Sequence, residues 1–517
     1  MRDLSHPLGL PGMQEAALRV EQALKNGEGI LVHGDFDADG VTSTAILTLF
    51  LRDLGARVEP FIPNRLVEGH GVSMRALETA RASGATLMIT CDCGSSNAKE
   101  IESFFKEGIE TIVTDHHFVG DSKDTHAIVV NPKAQEEGEH EGLAGGGVAF
   151  MLMAAGRAHL REKGFFESKP EPNLRDYLDV VALGTVADMA PLMGQNRILV
   201  SEGLAQLARS TRPAIIAMKD EAGLTGRSIG TDEIGFRLAP KINAACRLGH
   251  ADEALSLLTS ASLDGARKLA KNLEAWNTER KGLQERMVQV AFSQAVEQAE
   301  RGSPCIVISS SDFHSGVIGL VAQKLAETFF RPVFLFSVEG EFARASARSR
   351  RGVDLHRVLV DCSDLMVQFG GHAEAGGCLA KTSDLPKLKE RIVEAVSRQA
   401  KDPVRTLVID AEVRLEEIDD AYWERLRRLA PFGMGNPTPI FSASARPAGP
   451  PRQVGQGHVK ATLTASDGRP FDAIGFGLWE KAQGLGEVWR IAFSLEENHW
   501  QGRVSIQLNL KDIAPSE

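Results

Sequence analysis

Acidic residues and histidines recur in this chain wherever a short apolar run ends. The first run closes on His33-Gly34-Asp35-Phe36-Asp37-Ala38-Asp39-Gly40, the second on Asp92 and the third on Asp115-His116-His117. Asp188 stands alone in the apolar stretch Leu183-Gly184-Thr185-Val186-Ala187-Asp188-Met189-Ala190-Pro191. Carboxylates joined by a few imidazoles are hard donors that suit Mg2+ or Mn2+, and a pair of such ions is an apparatus for phosphate chemistry. The pattern Asp-x-Asp-x-Asp-Gly also opens calcium-binding EF-hand loops. Here the twelfth position, where a bidentate Glu belongs, is Ile46, and a strand-like run rather than a helix precedes Asp35. An unpaired carboxylate at Asp188 would be costly among apolar neighbours, so it requires a cation or a hydrogen-bond donor.

The runs that carry these residues read as parallel strands. Residues 29–32, 87–90, 111–114 and 127–130 are rich in Ile, Val and Leu, with helix-like stretches at 43–54, 73–83 and 98–107 between them. This alternation predicts a doubly wound parallel sheet of the α/β class, in which ligands bind at the carboxyl ends of the strands. From 263 to about 300, apolar residues at helical spacing and no proline predict a single helix, about 55 Å long, as a strut between two lobes. After Arg301-Gly302-Ser303-Pro304 a second α/β region begins, with strands at 305–309 and 333–336 flanking a helix at 316–329. Lys401-Asp402-Pro403 reads as a linker. Alternating runs at 406–409, 459–463, 471–476, 490–493 and 504–510 then predict a small β-barrel. The expected domains are 1–205, a helical connector at 206–302, a second α/β domain at 303–400 and the barrel at 403–517.

Composition narrows the class. A chain of 517 residues, 43% hydrophobic and 25% charged, is too long for one core. It has no apolar run of about 18 residues and no signal-peptide pattern at its start, so a soluble cytoplasmic protein without membrane contact is expected. The six cysteines make no disulfide framework, and Cys91-x-Cys93 has no second pair to complete a zinc site. A net charge of −11 disfavours bulk electrostatic coating of duplex DNA but leaves room for a local basic groove. One basic cluster exists, Arg344, Arg348, Arg350, Arg351 and Arg357, which reads either as a phosphate-binding face or as a solvated one. Gly370-Gly371-His372 offers backbone N–H groups and an imidazole to a phosphate, or else a tight turn. Leu143-Ala144-Gly145-Gly146-Gly147-Val148 reads as a helix N-terminus packed on the sheet.

The order Asp-x-Asp-x-Asp-Gly, Asp92-Cys93-Gly94, Asp115-His116-His117, Val186-Ala187-Asp188 resembles the DHH phosphoesterase superfamily. Further stretches extend the likeness to the RecJ family of single-stranded-DNA-specific exonucleases: Ile62-Pro63-Asn64-Arg65, Asn243-Ala244-Ala245-Cys246-Arg247-Leu248-Gly249, His314-Ser315-Gly316-Val317-Ile318-Gly319, Ser346-Ala347-Arg348-Ser349, Phe369-Gly370-Gly371-His372 and Leu429-Ala430-Pro431-Phe432-Gly433-Met434-Gly435-Asn436-Pro437. The resemblance runs from about residue 10 to the end of the chain.

The resemblance implies a DHH catalytic domain, a DHH-associated substrate-binding domain and a C-terminal OB-fold. It implies two Mn2+ or Mg2+ ions held by Asp37, Asp39, Asp92, His116 and Asp188, with Asp92 bridging them and Asp35 binding directly or supporting the ligands from behind. His33 matches the His-x3-Asp-x-Asp spacing of DHH-type pyrophosphatases and is a further candidate ligand. His117 would contact the scissile phosphate or the leaving oxygen. Arg65, Arg247, Ser346, Arg348, Gly370, Gly371 and His372 would hold DNA, and Phe471, Phe476, Trp479, Trp489, Phe493 and Trp500 are the aromatics from which a barrel could stack bases. The implied activity is 5′→3′ hydrolysis of single-stranded DNA to 5′-mononucleotides in recombination and repair. The implied protein is a monomer that works beside a single-strand-binding protein and a RecQ-type helicase. The chain starts close to the first motif and stops just past the barrel, from which we expect fewer partner contacts than in longer members. The alternatives are a DHH phosphoesterase for short oligonucleotides, cyclic dinucleotides or pyrophosphate, and an inactive DNA-binding scaffold. The long helix and barrel speak against the first. The complete set of candidate ligands speaks against the second.

Overall fold

Runs of Ile, Val and Leu that are apolar on both faces belong inside a sheet covered on both sides, and the first five strands obey that rule. A computed structural model of the chain describes residues 3–118, 126–135, 138–349, 352–399, 406–500 and 503–515. β1 (Gly29–Gly34), β2 (Arg57–Phe61), β3 (Ala85–Cys91), β4 (Glu110–Thr114) and β5 (Ala127–Val130) form one parallel sheet in the order β2-β1-β3-β4-β5. The order reverses at β1, so the crevice of this sheet opens beyond the carboxyl ends of β1 and β3. Asp35 and Asp92 follow those two ends.

Helices α1 (Met13–Asn26), α2 (Ala38–Asp53), α3 (Arg75–Ser83), α4 (Ala98–Lys106), α5 (Gly145–Glu162) and α6 (Leu178–Ala187) cover the sheet. Between residues 38 and 51 only Leu49 escapes full burial, because α2 lies between the sheet and helices α5 and α6. It begins five residues before the 43–54 span read from the sequence. The reason is its cap: the Asp37 side chain satisfies the first free N–H groups, so the acidic turn is itself the helix start.

The helix Leu263–Glu300 runs unbroken for 38 residues, about 57 Å at the usual rise. Ala266, Ala270 and Leu273 enter the core of the first lobe, and Met287, Ala291 and Ala295 enter that of the second. The second lobe is built on β6 (Ile306–Ser310), β7 (Val333–Glu339), β8 (Phe342–Arg348), β9 (Gln368–Gly371) and β10 (Ala375–Lys381), in the order β6-β7-β8-β10-β9. Only β6 and β7 run parallel.

Residues from Arg405 onward form a separate unit. Its strands are β11 (Ala411–Glu412), β12 (Phe441–Pro447), β13 (Arg452–Val454), β14 (His458–Thr464), β15 (Pro470–Gly475), β16 (Trp489–Trp500) and β17 (Arg503–Pro515). β12, β16, β17, β15 and β14 pair in sequence, and β12 pairs again with β14, which closes a five-stranded barrel. The expected strand at 406–409 is absent; only Ala411–Glu412 pairs, with β12. Among the aromatics proposed for stacking, Phe471, Trp489 and Phe493 are core and Trp479 packs against them. Phe476 is 58% exposed, and the Trp500 side chain lies outside the described residues. The 401–403 linker also lies outside them. All six cysteines are buried and free, and among the described residues no helix is long and apolar enough to cross a membrane.

Candidate metal centre and phosphate cleft

The turn after β1 is held by backbone bonds that leave its carboxylates facing one crevice. The Asp35 N–H donates to Cys91 O, 3.1 Å away, tying the end of β1 to that of β3. Asp37 Oδ1 accepts from the N–H groups of Asp39 and Gly40, each at 3.0 Å, and the Ala38 N–H donates to Asn243 Oδ1 at 3.1 Å. Asp39, in the first turn of α2, accepts from the N–H of Gly145 at 2.6 Å and of Gly146 at 3.0 Å, the first residues of α5. Two helix N-termini therefore favour negative charge at Asp39. A Cβ at Gly145 would lie 2.7 Å from Asp92 Cβ, and one at Gly184 2.7 Å from Asp39 Oδ1, so a side chain at either position would push a carboxylate out of place.

Asp92 adopts φ 63, a left-handed conformation that Asp and Asn tolerate better than other side chains. His116 Nε2 lies 3.0 Å from Asp92 Oδ1 and 3.9 Å from Asp188 Oδ2. Asp188 caps the carboxyl end of α6. Asp115 points away from this group. It accepts from the N–H groups of Ser95, His116 and His117, and His117 Nδ1 lies 2.8 Å from its Oδ1, which fixes that ring. Three overlapping groups result, each with potential ligand atoms within 4.8 Å of one another: Asp92, His116 and His117; Asp39, His116 and Asp188; Asp35, Asp37 and Asp92.

The electrostatics of these groups ask for cations. Burial, reinforced by neighbouring carboxylates, raises the pKa values of Asp39, Asp92 and Asp188 well above the ordinary range. Asp92 Oδ1 and His116 Nε2 are buried without a hydrogen bond of good geometry, though they face each other at 3.0 Å. Such donors fit a divalent ion of the Mn2+ or Mg2+ kind. His70 Nδ1 lies 3.0 Å from Asp35 Oδ1, and this contact raises the His70 pKa to about 9.

His33 is not placed as a ligand. Its Nε2 accepts from the Ser73 N–H at 3.0 Å, and its Nδ1 faces Cys93 Sγ at 3.7 Å. Full burial lowers its pKa to about 4. A neutral ring with both nitrogens engaged braces β1 and offers no lone pair to the crevice.

Beside the carboxylates lies a cleft of about 790 Å3, walled by Phe36, Arg65 and His70 on the catalytic lobe, Arg247 on the connector, and Arg344, Ser346 and Arg348 on the second lobe. Arg247 and Arg348 have pKa values below the usual one, first through burial and then through neighbouring guanidinium groups, Arg65 among them. Clustered cations of this kind favour a phosphate. The walls meet closely: Arg247 Nη1 donates to Gly316 O at 3.3 Å, and a Cβ on Gly316 would fall 2.2 Å from Arg247 O. Gly370 and Gly371 line the cleft, but His372 does not. It sits exposed on the turn after β9, with its N–H bound to Ala375 O and its Nδ1 accepting from the Glu374 N–H. Arg357 is exposed on another element and does not line the cleft, and Arg350 and Arg351 lie outside the described residues. The triple glycine at 145–147 opens α5, as expected, and its N–H groups hold Asp39.

Comparison with known proteins agrees with this arrangement. The DHH family N-terminal domain matches residues 29–185, the DHHA1 domain residues 302–401 and the RecJ OB domain residues 409–512. The "Single-stranded-DNA-specific exonuclease RecJ" of Thermus thermophilus is 36% identical over 521 residues, covering 100% of this chain and 73% of that protein. The protein of the same name from Bacillus subtilis is 34% identical over 529 residues, and this chain spans 65% of its length. The crystal structure of RecJ in complex with Mn2+ from Thermus thermophilus superposes with a TM-score of 0.84 at 33% identity, over 98% of this chain and 72% of that one. Sequence, domain order and fold converge: this chain belongs to the RecJ family of single-stranded-DNA-specific exonucleases.

Proposed function

We propose that the chain is a divalent-metal-dependent exonuclease that hydrolyses single-stranded DNA 5′→3′ to 5′-mononucleotides, in recombination and repair. One observation carries this reading: two ligand groups share Asp92 and adjoin a cleft walled by arginines from two lobes. Asp39, His116 and Asp188 would hold one ion and Asp35 and Asp37 the other, with Asp92, which lies beside His116 and is grouped with Asp35 and Asp37, available to both. Bound there, Mn2+ or Mg2+ ions acidify an attacking water and neutralise charge on the scissile phosphate.

The protein's own groups do the rest. Asp115 keeps the His117 ring oriented, and its charge outweighs the effect of burial, so the His117 pKa is raised. His117 then donates from Nε2 to a phosphate oxygen or the leaving oxygen. Arg65, Arg247, Arg348 and Ser346 hold the terminal phosphates, and Gly370 and Gly371 let the strand approach β9 closely. Among the described residues, Phe476 is a barrel aromatic exposed for stacking. A cytoplasmic monomer acting with a single-strand-binding protein and a RecQ-type helicase completes the proposal.

A digestion series with 5′-blocked, 3′-blocked, duplex and dinucleotide substrates in Mn2+, Mg2+ and chelator tests it. Release of mononucleotides from an unblocked 5′ end of long single strands, abolished by chelator, is expected. Preference for the dinucleotide, or release from the 3′ end, would overturn the assignment.

A further inference from the structure

The acidic turn contains one residue that is not acidic or small, and its contacts lead out of the metal centre. Phe36, the spacer between Asp35 and Asp37, carries the Arg65 guanidinium over its ring at 4.7 Å. The His70 ring meets the same Phe36 edge-on at 6.1 Å and the His117 ring at 5.2 Å. Arg65 and His70 belong to one loop, after β2, that is pinned from within by Glu68. The Glu68 carboxylate accepts from the Asn64 N–H at 2.7 Å and from the Ser73 hydroxyl. The loop therefore touches the acidic turn at two points, Arg65 on Phe36 and His70 on Asp35.

We propose that His70 is a positioning residue: by holding Asp35 from a loop that also carries Arg65, it locks the phosphate-binding wall of the cleft to the ligand turn. The inference rests on the proposed nuclease reading. It adds that strand anchoring and ligand placement are coupled through one imidazole instead of being set independently. The side chain is half exposed on the cleft wall, so its replacement leaves no buried void.

A double-mutant cycle tests it on the full-length protein with a 5′-phosphorylated oligonucleotide and Mn2+. His70→Leu is expected to lower kcat/KM about ten- to a hundredfold, as for loss of a close charged contact to a buried carboxylate oxygen that has no other partner. His70→Asn, which keeps a donor near the Nδ1 position, is expected to recover most of that loss. Combining His70→Leu with Arg65→Ala should cost at least about fivefold less than the product of the single losses. Multiplicative losses, or an Asn variant as impaired as the Leu variant, would overturn the latch. Wild-type protein that leaves DNA intact would instead count against the nuclease reading.

Discussion

Asp92 belongs to two of the three ligand groups, so its replacement separates structure from chemistry with unusual clarity. Asn is the informative substitution because it keeps the volume and tolerates φ 63, whereas Ala would add backbone strain of about 1 kcal/mol and leave a void. In Asp92→Asn each ion loses a ligand charge. If that removes about 4 kcal/mol of transition-state stabilisation, hydrolysis falls about a thousandfold. Stability moves the other way. The Asp92 carboxylate is 1% exposed and its charged form is opposed by burial and then by Asp39, Asp37, Asp35 and Asp188, so the chelator-treated variant should melt above chelator-treated wild type. Mn2+ at about a hundred times its dissociation constant should stabilise wild type by about 2.7 kcal/mol, a Tm rise of about 3 °C for the unit Met1–Val404, and the variant hardly at all. Melting with and without Mn2+, paired with hydrolysis rates, reads both effects. A variant that keeps its Mn2+ shift, or hydrolyses within tenfold of wild type, would refute the shared-ligand argument.

Three other outcomes follow from single contacts. Gly145→Ala drives a methyl group against Asp92 and should weaken Mn2+ binding, read by calorimetry, in a protein that still folds. His33→Leu should cost about 1–3 kcal/mol through the unpaired Ser73 N–H, measured by denaturant unfolding, yet leave the Mn2+ titration midpoint within about twofold. Glu28 is pushed up by burial but held down more strongly by Arg19, Thr86 and Asn26, for a net lowered pKa. Its stabilising effect is present above the unfolded value of about 4.3 and fades as pH falls through the lower folded value. Glu28→Gln should therefore flatten the acid limb of the stability curve below about pH 4 and lower stability at neutral pH.

The strands were legible because doubly buried parallel runs are continuously apolar, and the long helix because nothing interrupts its periodicity. The acidic residues were legible as a set because each follows such an element. What escaped was positional. The part of Asp115 is backbone-directed, and nothing in Asp-His-His says that its Asp turns away from the other carboxylates. His33 has the spacing of a ligand, but Ser73, forty positions away, occupies its nitrogen. Gly184 carries no signal of its own, and Gly145 reads only as part of a helix N-terminus, until the carboxylates behind them are placed. His70 carries no motif at all, and the Gly-Gly-His stretch names a turn whose imidazole points elsewhere than its glycines suggest. The strand expected at 406–409 failed because β propensity alone supplies no partner.

The seam where the Gly316 backbone abuts Arg247 sets how the cleft can work. Opening the walls at this point would have to part that contact, which favours a slot of set width. Under the proposed function, thickness at the mouth then limits what enters. Any residue bulkier than glycine at position 316 would widen the calibration and, with it, the range of polymers that pass.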